Sequence, residues 1–266
     1  MLVYAIMRYS LIFLKKHARV LQTINSALIY FFFFTKYIKY IFLASYIRVC
    51  GRQDANYAEC VKENINNMRP KICTGMPELD IPAVEPINVD KIVIYDLDNL
   101  KLSIMDGKIT GFCDFEVETV TISPDKMSME FEVLFEHLNL DSMYDFDIHV
   151  LVQLANKGKV HIATDKVKGK VVIDFKEATK DNVKQIYVGK TNTKLDINTF
   201  VYEFDDSEKD LVQLHEVMRN TISENENDIL KKVRPALEQI VSKTLLSLVN
   251  KITVNRFEEL FPDQAP

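Results

Sequence analysis

Between Asn225 and Asn250 apolar residues return every three or four positions, at Ile229, Val233, Leu237, Ile240, Val241, Leu245, Leu248 and Val249, and the pattern reaches Ile252. This spacing covers one face of a helix for roughly six turns. Ser223 or Asn225 suits the N-cap, and Glu224, Glu226 and Asp228 suit the positive end of the helix dipole. Pro235 lies inside the pattern, which predicts a kink there or a helix that begins in earnest at that residue. A stripe this long needs a partner along its whole length.

That partner is predicted by a change of period. From Lys91 to Phe204 apolar residues alternate with polar ones. Cys113, Phe115 and Val117 form one face, and Met127, Met129, Phe131, Val133 and Phe135 another. Tyr144, Phe146, Ile148, Val150, Val152 and Leu154 share a face opposite Asp145, Asp147, His149 and Gln153. Val171, Ile173 and Phe175 follow, then Leu195, Ile197 and Val201. Period two marks antiparallel strands with one buried and one solvated face. Turn signals at Asp106-Gly107, Ser123-Pro124-Asp125, Asn156-Lys157-Gly158 and Asn192 divide the stretch into a meander of about six to eight strands.

Two shorter helical patterns complete the chain. One runs from Asp54 to Met68, with Tyr57, Val61, Ile65 and Met68 on one face, and Arg69-Pro70 as its stop. The other runs from Ser207 to Asn220. Pro77, Pro82 and Pro86 keep the connector after the first helix extended. Phe257, Leu260 and Phe261 in the tail either add an edge strand or pack on the long helix. The predicted fold class is α+β, a long curved antiparallel β-sheet rolled around a long C-terminal α-helix. Where sheet and helix diverge, apolar faces have nothing to touch, and a dry cavity remains for an apolar ligand.

Charge changes the picture at the N-terminus. Residues 1–49 hold seven Lys and Arg and no Asp or Glu, which leaves 26 basic against 38 acidic residues elsewhere, a net −12. So acidic a body disfavours nucleic acid as a partner. Within the basic segment, Ala27–Phe34 and Tyr40–Ile47 are short apolar runs, separated by Lys36 and Lys39. Residues 1–48 therefore read as a secretory leader, with an uncleaved membrane anchor as the alternative, and residues 49–266 as a single domain.

No catalytic constellation emerges. His215-Glu216-Val217-Met218-Arg219 lacks the second histidine of a zinc-protease helix. Asp205, Asp206, Glu208 and Asp210 lack the glycine and distal glutamate of a calcium loop and read as a solvated turn. The four cysteines, at 50, 60, 73 and 113, lack zinc spacing. In a secreted chain Cys50 and Cys60 can close a short polar loop as a disulfide, and Cys73 and Cys113 then form either a second bridge or, the favoured reading, buried apolar thiols. The expectation is a binding protein with no cofactor and no metal rather than an enzyme.

Four signatures, in order, carry a family resemblance. They are the Cys50–Cys60 loop, the connector Gly75-Met76-Pro77-Glu78-Leu79 with Ile81-Pro82 and Glu85-Pro86-Ile87, the strand start Ile109-Thr110-Gly111, and a C-terminal block. That block comprises Asn220–Asn227, Leu230, Pro235, Asn250 and Phe257-x-x-Leu260-Phe261-Pro262. Together they resemble the insect takeout and haemolymph juvenile-hormone-binding family over roughly residues 50–262. The chain departs from the pattern at Glu85, where the family usually has Asp, and in lacking a glycine near Ser142. The resemblance implies the tubular lipid-binding type of fold, a Cys50–Cys60 disulfide, and a secreted monomeric carrier of a small hydrophobic ligand, terpenoid or fatty-acid-like. The expected pocket walls are Met127, Met129, Phe131, Val133 and Phe135, then Tyr144, Phe146, Ile148, Val150 and Val152, with Leu237 and Val241 from the long helix. Tyr144 and Tyr202 are candidates to bond a ligand's ester or carbonyl, and the first helix is a candidate lid.

Overall fold

The alternating segments form seven strands among the described residues: β1 (Ile87–Leu97), β2 (Leu100–Thr110), β3 (Phe115–Ile122), β4 (Ser128–His149), β5 (Gln153–Lys180), β6 (Val183–Asp196) and β7 (Val201–Phe204). Four helices accompany them: α1 (Tyr57–Thr74), α2 (Val212–Glu224), α3 (Glu226–Thr253) and α4 (Phe257–Leu260). This computed structural model describes residues 46–149, 153–180, 183–207, 211–254 and 256–265. Arg48–Pro266 pack as one unit.

β4 and β5 pair without a slip from Ser128↔Asp174 to His149↔Gln153. At the Ser128 end they are flanked by β3 and β6, and at the His149 end by β2, itself paired with β1, and by β7. The two long strands are therefore shared by two sets of neighbours, and the sheet is not a simple meander. Midway they exchange faces together. On β4 the buried residues are odd up to Phe135, then even from Ser142 to Phe146; on β5 they are odd from Val167 to Phe175, with Val160 and the half-buried Ile162 even. The switch falls where Lys166 takes φ +53°, a left-handed conformation that turns the next side chain to the other face. Both predicted faces are thereby buried, odd on Met127–Phe135 in one hydrophobic cluster and even from Tyr144 in a second.

Three predicted turns lie inside strands. Asp106, at φ +53°, sits in a bulge of β2, where the register with β4 shifts between Met105 and Lys108. Asn156-Lys157-Gly158 continues β5, and Asn192 pairs with Val172 within β6. Gly158 is there for space rather than for turning. A Cβ at that position would stand 2.6 Å from the Tyr144 hydroxyl. Ser123-Pro124-Asp125 does turn the chain, and the Asp125 carboxylate accepts from the Ser123 hydroxyl and the Met127 amide. The expected strand Tyr144–Leu154 is divided between β4 and β5, and Leu154 is exposed.

The helices run longer than their stop signals suggest. α1 continues through Pro70 to Thr74, and α3 continues through Pro235. α2 begins at Val212, and α3 follows after the single residue Asn225. The tail adds no strand. It forms α4, buries Phe257 and Leu260, and returns to the domain's start, where Leu260, Pro262 and Asp263 carbonyls accept from Cys50, Arg52 and Gln53 amides.

Sheet edges would expose unpaired backbone. Asparagine amides supply what a further strand would, because each offers an acceptor and a donor side by side. From α1, Asn66 accepts from the Val117 amide (2.9 Å) and donates to the Val117 carbonyl (3.1 Å) on β3. From α3, Asn250 does the same to Val188 on β6, at 2.7 and 3.2 Å. Farther along β6, the buried Glu238 carboxylate accepts from the Leu195 amide and the Lys194 ammonium, both at 3.0 Å. The other flank of α3 meets β1 through apolar packing, with Val233, Ala236, Leu237 and Ile240 against Ile87, Val89 and Ile92.

Two disulfides pin α1. Cys50–Cys60 closes as the loop predicted, and of the two readings open for Cys73 and Cys113 the structure has the second bridge, not the favoured buried thiols. Sequence spacing gave no reason to join the latter pair. They meet because α1 runs on past Pro70 and carries Cys73 to the 3-10 turn Phe112–Asp114 beside β3.

Candidate functional site

Beneath α3 the inner face of the sheet leaves three apolar cavities in a row. The first, about 50 Å³, lies by Ile94, Leu102, Tyr144, Phe204 and Met218. The middle one, about 110 Å³, is bounded by Leu138, Leu140, Ile197, Leu230, Val233 and Leu237. The third, about 150 Å³, lies by Phe131, Val133, Phe135, Val171, Leu245 and Leu248. Neighbours share walls: Ile104, Ile162, Phe200 and Ile229 between the first and the middle, and Phe112, Leu195 and Val241 between the middle and the third. From Ile229 to Ile252 the row follows α3 for roughly 35 Å at 1.5 Å per residue. An apolar cavity of about 150 Å³ stays dry and accepts a benzene-sized guest.

The predicted wall residues divide. Phe131, Val133 and Phe135 line the third cavity, Leu237 the middle one, Val241 both, and the Tyr144 ring the first. Met129 and Phe146 are buried core outside the walls of these three cavities, and Ile148 is half-buried against the apolar group that holds Tyr144 and Phe146. Met127 precedes β4 and packs on the main core. Val150 and Val152 lie outside the described residues. Sequence reasoning missed Phe112, Phe200, Leu230 and Arg234, which stand in a turn, in a loop or off the helical stripe, where no period flags them.

Neither candidate tyrosine offers a spare hydroxyl to the cavities. Tyr144 bonds His215 Nε2 at 2.8 Å, and Tyr202 donates to the Arg219 carbonyl at 3.2 Å. His215 is fully buried, and its Nδ1 faces the Asp206 carboxylate, which also accepts from Arg219 at 2.7 Å. A carboxylate on Nδ1 fixes the proton there and leaves Nε2 to accept from Tyr144. Those two donors hold the Asp206 carboxyl below its ordinary pKa, His215 chiefly and Arg219 next. The chain Tyr144–His215–Asp206–Arg219 thus fastens α2 to the sheet at one end of the row.

The candidate lid is held firmly. Besides its two disulfides, α1 is tied to β3 by Asn66 and by Arg69, which donates to the Phe115 carbonyl at 2.7 Å. A swinging helix would break all of these. Among the described residues one trio of metal-ligating side chains lies close enough to share an ion, Cys73, Glu85 and Cys113, and its sulfurs are already joined to each other. No helix of the described residues is long and apolar enough to cross a membrane.

The fold is that of a known group of proteins. The structure matches the crystal structure of Takeout 1 from Epiphyas postvittana with a TM-score of 0.62 and 14% identity, over 78% of this chain and 95% of that one. A lipopolysaccharide-binding protein matches with a TM-score of 0.42 and 11% identity, over 74% of this chain and 39% of that one. No curated protein matches the sequence. The profile of the haemolymph juvenile hormone binding protein family matches residues 28–262, nearly the whole length of the described domain, and the chain belongs to that family.

Proposed function

We propose that the protein is a secreted carrier that holds a small hydrophobic ligand, terpenoid or fatty-acid-like, in the cavities between the sheet and α3. The observation that carries this reading is the row of apolar cavities along one face of α3. A core packed for stability alone leaves few voids larger than a water molecule. The family's own description, a juvenile-hormone-binding protein of haemolymph, supports a terpenoid or a related lipid. Each methylene buried there contributes about 0.8 kcal/mol before ordering costs. Phe131, Val133, Phe135, Leu237 and Val241 are the proposed contacts, and Phe112, Leu195 and Phe200 join them. Two disulfides suit an oxidising compartment, in keeping with secretion.

The test uses the full chain expressed with its disulfides formed. Organic extraction of the purified protein, followed by mass spectrometry, is expected to release a lipid in near-stoichiometric amount. Displacement of a neutral naphthylamine probe by juvenile-hormone-like esters and by fatty acids then names the class. A protein that yields no lipid and binds no probe would end the carrier reading. N-terminal sequencing of secreted material tests the leader, with a start near residues 46–51 expected.

A further inference from the structure

The three cavities share a chemical character as well as walls. Ligand pockets are commonly apolar but carry a few polar groups that fix a ligand's orientation. Here the walls present carbon almost throughout. Six polar side chains border the row, and five of them direct their polar ends at other protein groups. Around the first cavity, Tyr144 bonds His215 Nε2 at 2.8 Å and Tyr202 donates to the Arg219 carbonyl at 3.2 Å. Around the middle one, Thr164 donates to the Thr199 carbonyl at 2.7 Å and Arg234 to the Ile197 carbonyl at 2.9 Å. Around the third, the Thr193 hydroxyl accepts from Ser242 at 2.9 Å. Asn139 is the sixth, in a wall that is still almost wholly carbon. Carbon continues at both ends of the row, with Met218 and Ile222 from α2 in the first cavity and Met68 and Ile72 from α1 in the third.

A ligand in such a row gains from each carbon it buries and finds no hydrogen bond to replace those it made with water. A hydroxyl taken there is penalised, and an ionised carboxylate far more so. We infer that the carrier holds its ligand by the hydrocarbon chain alone, so that a chain with no oxygen binds at least as tightly as its ester and much more tightly than its alcohol or free acid. The inference rests on the carrier reading above and narrows its ligand to neutral, hydrocarbon-rich chains.

Farnesene, methyl farnesoate, farnesol and farnesoic acid share a farnesyl skeleton and differ at one end. Each is titrated at about pH 8, where the acid is ionised, against the naphthylamine probe on the full disulfide-bonded chain, with free ligand measured by mass spectrometry. Farnesene is expected to bind at least as tightly as methyl farnesoate and about tenfold or more tighter than farnesol and farnesoate, the scale of an unpaired buried polar group. Thr164→Val and Tyr202→Phe each remove a bordering hydroxyl and are expected to leave that order unchanged. The ratio of two ligands on one protein reads this even where a variant is less stable. Farnesol or farnesoate bound as tightly as farnesene would overturn the inference. So would an ester bound more tightly than the hydrocarbon, or a ratio of ester to hydrocarbon affinity that falls in either variant. A probe that binds but yields to none of the four would overturn it too, with the carrier reading left standing. Binding of neither probe nor any of the four would instead overturn the carrier reading itself.

Discussion

Tyr144 and His215, 71 residues apart, share a 2.8 Å hydrogen bond in which both partners are almost completely shielded from solvent. The pair joins a strand of the sheet to α2, and the His215 ring stacks on Phe204 with centroids 4.8 Å apart. Removing the hydroxyl with Tyr144→Phe leaves Nε2 buried and unpaired. The expected loss is about 1–3 kcal/mol, read from urea unfolding followed by circular dichroism, since the chain has no tryptophan to report by fluorescence.

Acid should act in part through Asp206. Its folded pKa lies below the ordinary value because His215 and Arg219 donate to the carboxylate. A depressed folded pKa means stability that is present above the unfolded value and lost as pH falls through the folded one, so the loss falls below about pH 4. Asp206→Asn is expected to flatten the acid limb of the stability–pH curve. Circular dichroism of wild type and variant from about pH 6 to about pH 2, a range that brackets the ordinary carboxylate pKa, checks this.

The two disulfides should differ in weight. Cys73–Cys113 spans 40 residues and Cys50–Cys60 spans 10. The chain-entropy account gives about 4 kcal/mol for the longer loop and about 3 for the shorter. Paired Cys→Ser variants, compared by thermal unfolding, are expected to show the larger fall for Cys73 and Cys113. That variant should also release the C-terminal end of α1 from the third cavity, where Met68 and Ile72 stand in the wall.

Val241 stands in the partition between the middle and third cavities and is buried. Val241→Phe adds volume on both sides of that wall. The variant is expected to bind the naphthylamine probe about tenfold more weakly, as though roughly two methylenes of the probe were no longer buried. Its unfolding midpoint, measured alongside, separates a filled cavity from an overpacked core.

Glu238 closes the β6 side of α3. Glu238→Ala strips the Leu195 amide of its acceptor at a buried site, and about 2 kcal/mol of stability is expected to go with it. Denaturant midpoints for wild type and variant decide it.

Periodicity alone determined much of this protein. The three-and-four spacing from Ile229 to Ile252 specifies a helix with one apolar face, and the alternation in Met129–Phe135 and Tyr144–Phe146 specifies buried strand faces. Both follow from local geometry, because side-chain direction is set by backbone repeat. The Cys50–Cys60 loop was equally local. What depended on partners far along the chain was not legible. Gly158 resembles a turn until the Tyr144 ring is seen above it, and Asp106-Gly107 resembles a hairpin until its register with β4 shows a bulge. The reversal of faces at Lys166 needs both long strands at once, and Cys73 finds Cys113 only because α1 outlasts Pro70. The cavities belong to this second kind. They exist in the gap between the curve of the sheet and the line of α3, and a sequence read along its length contains no measure of that gap.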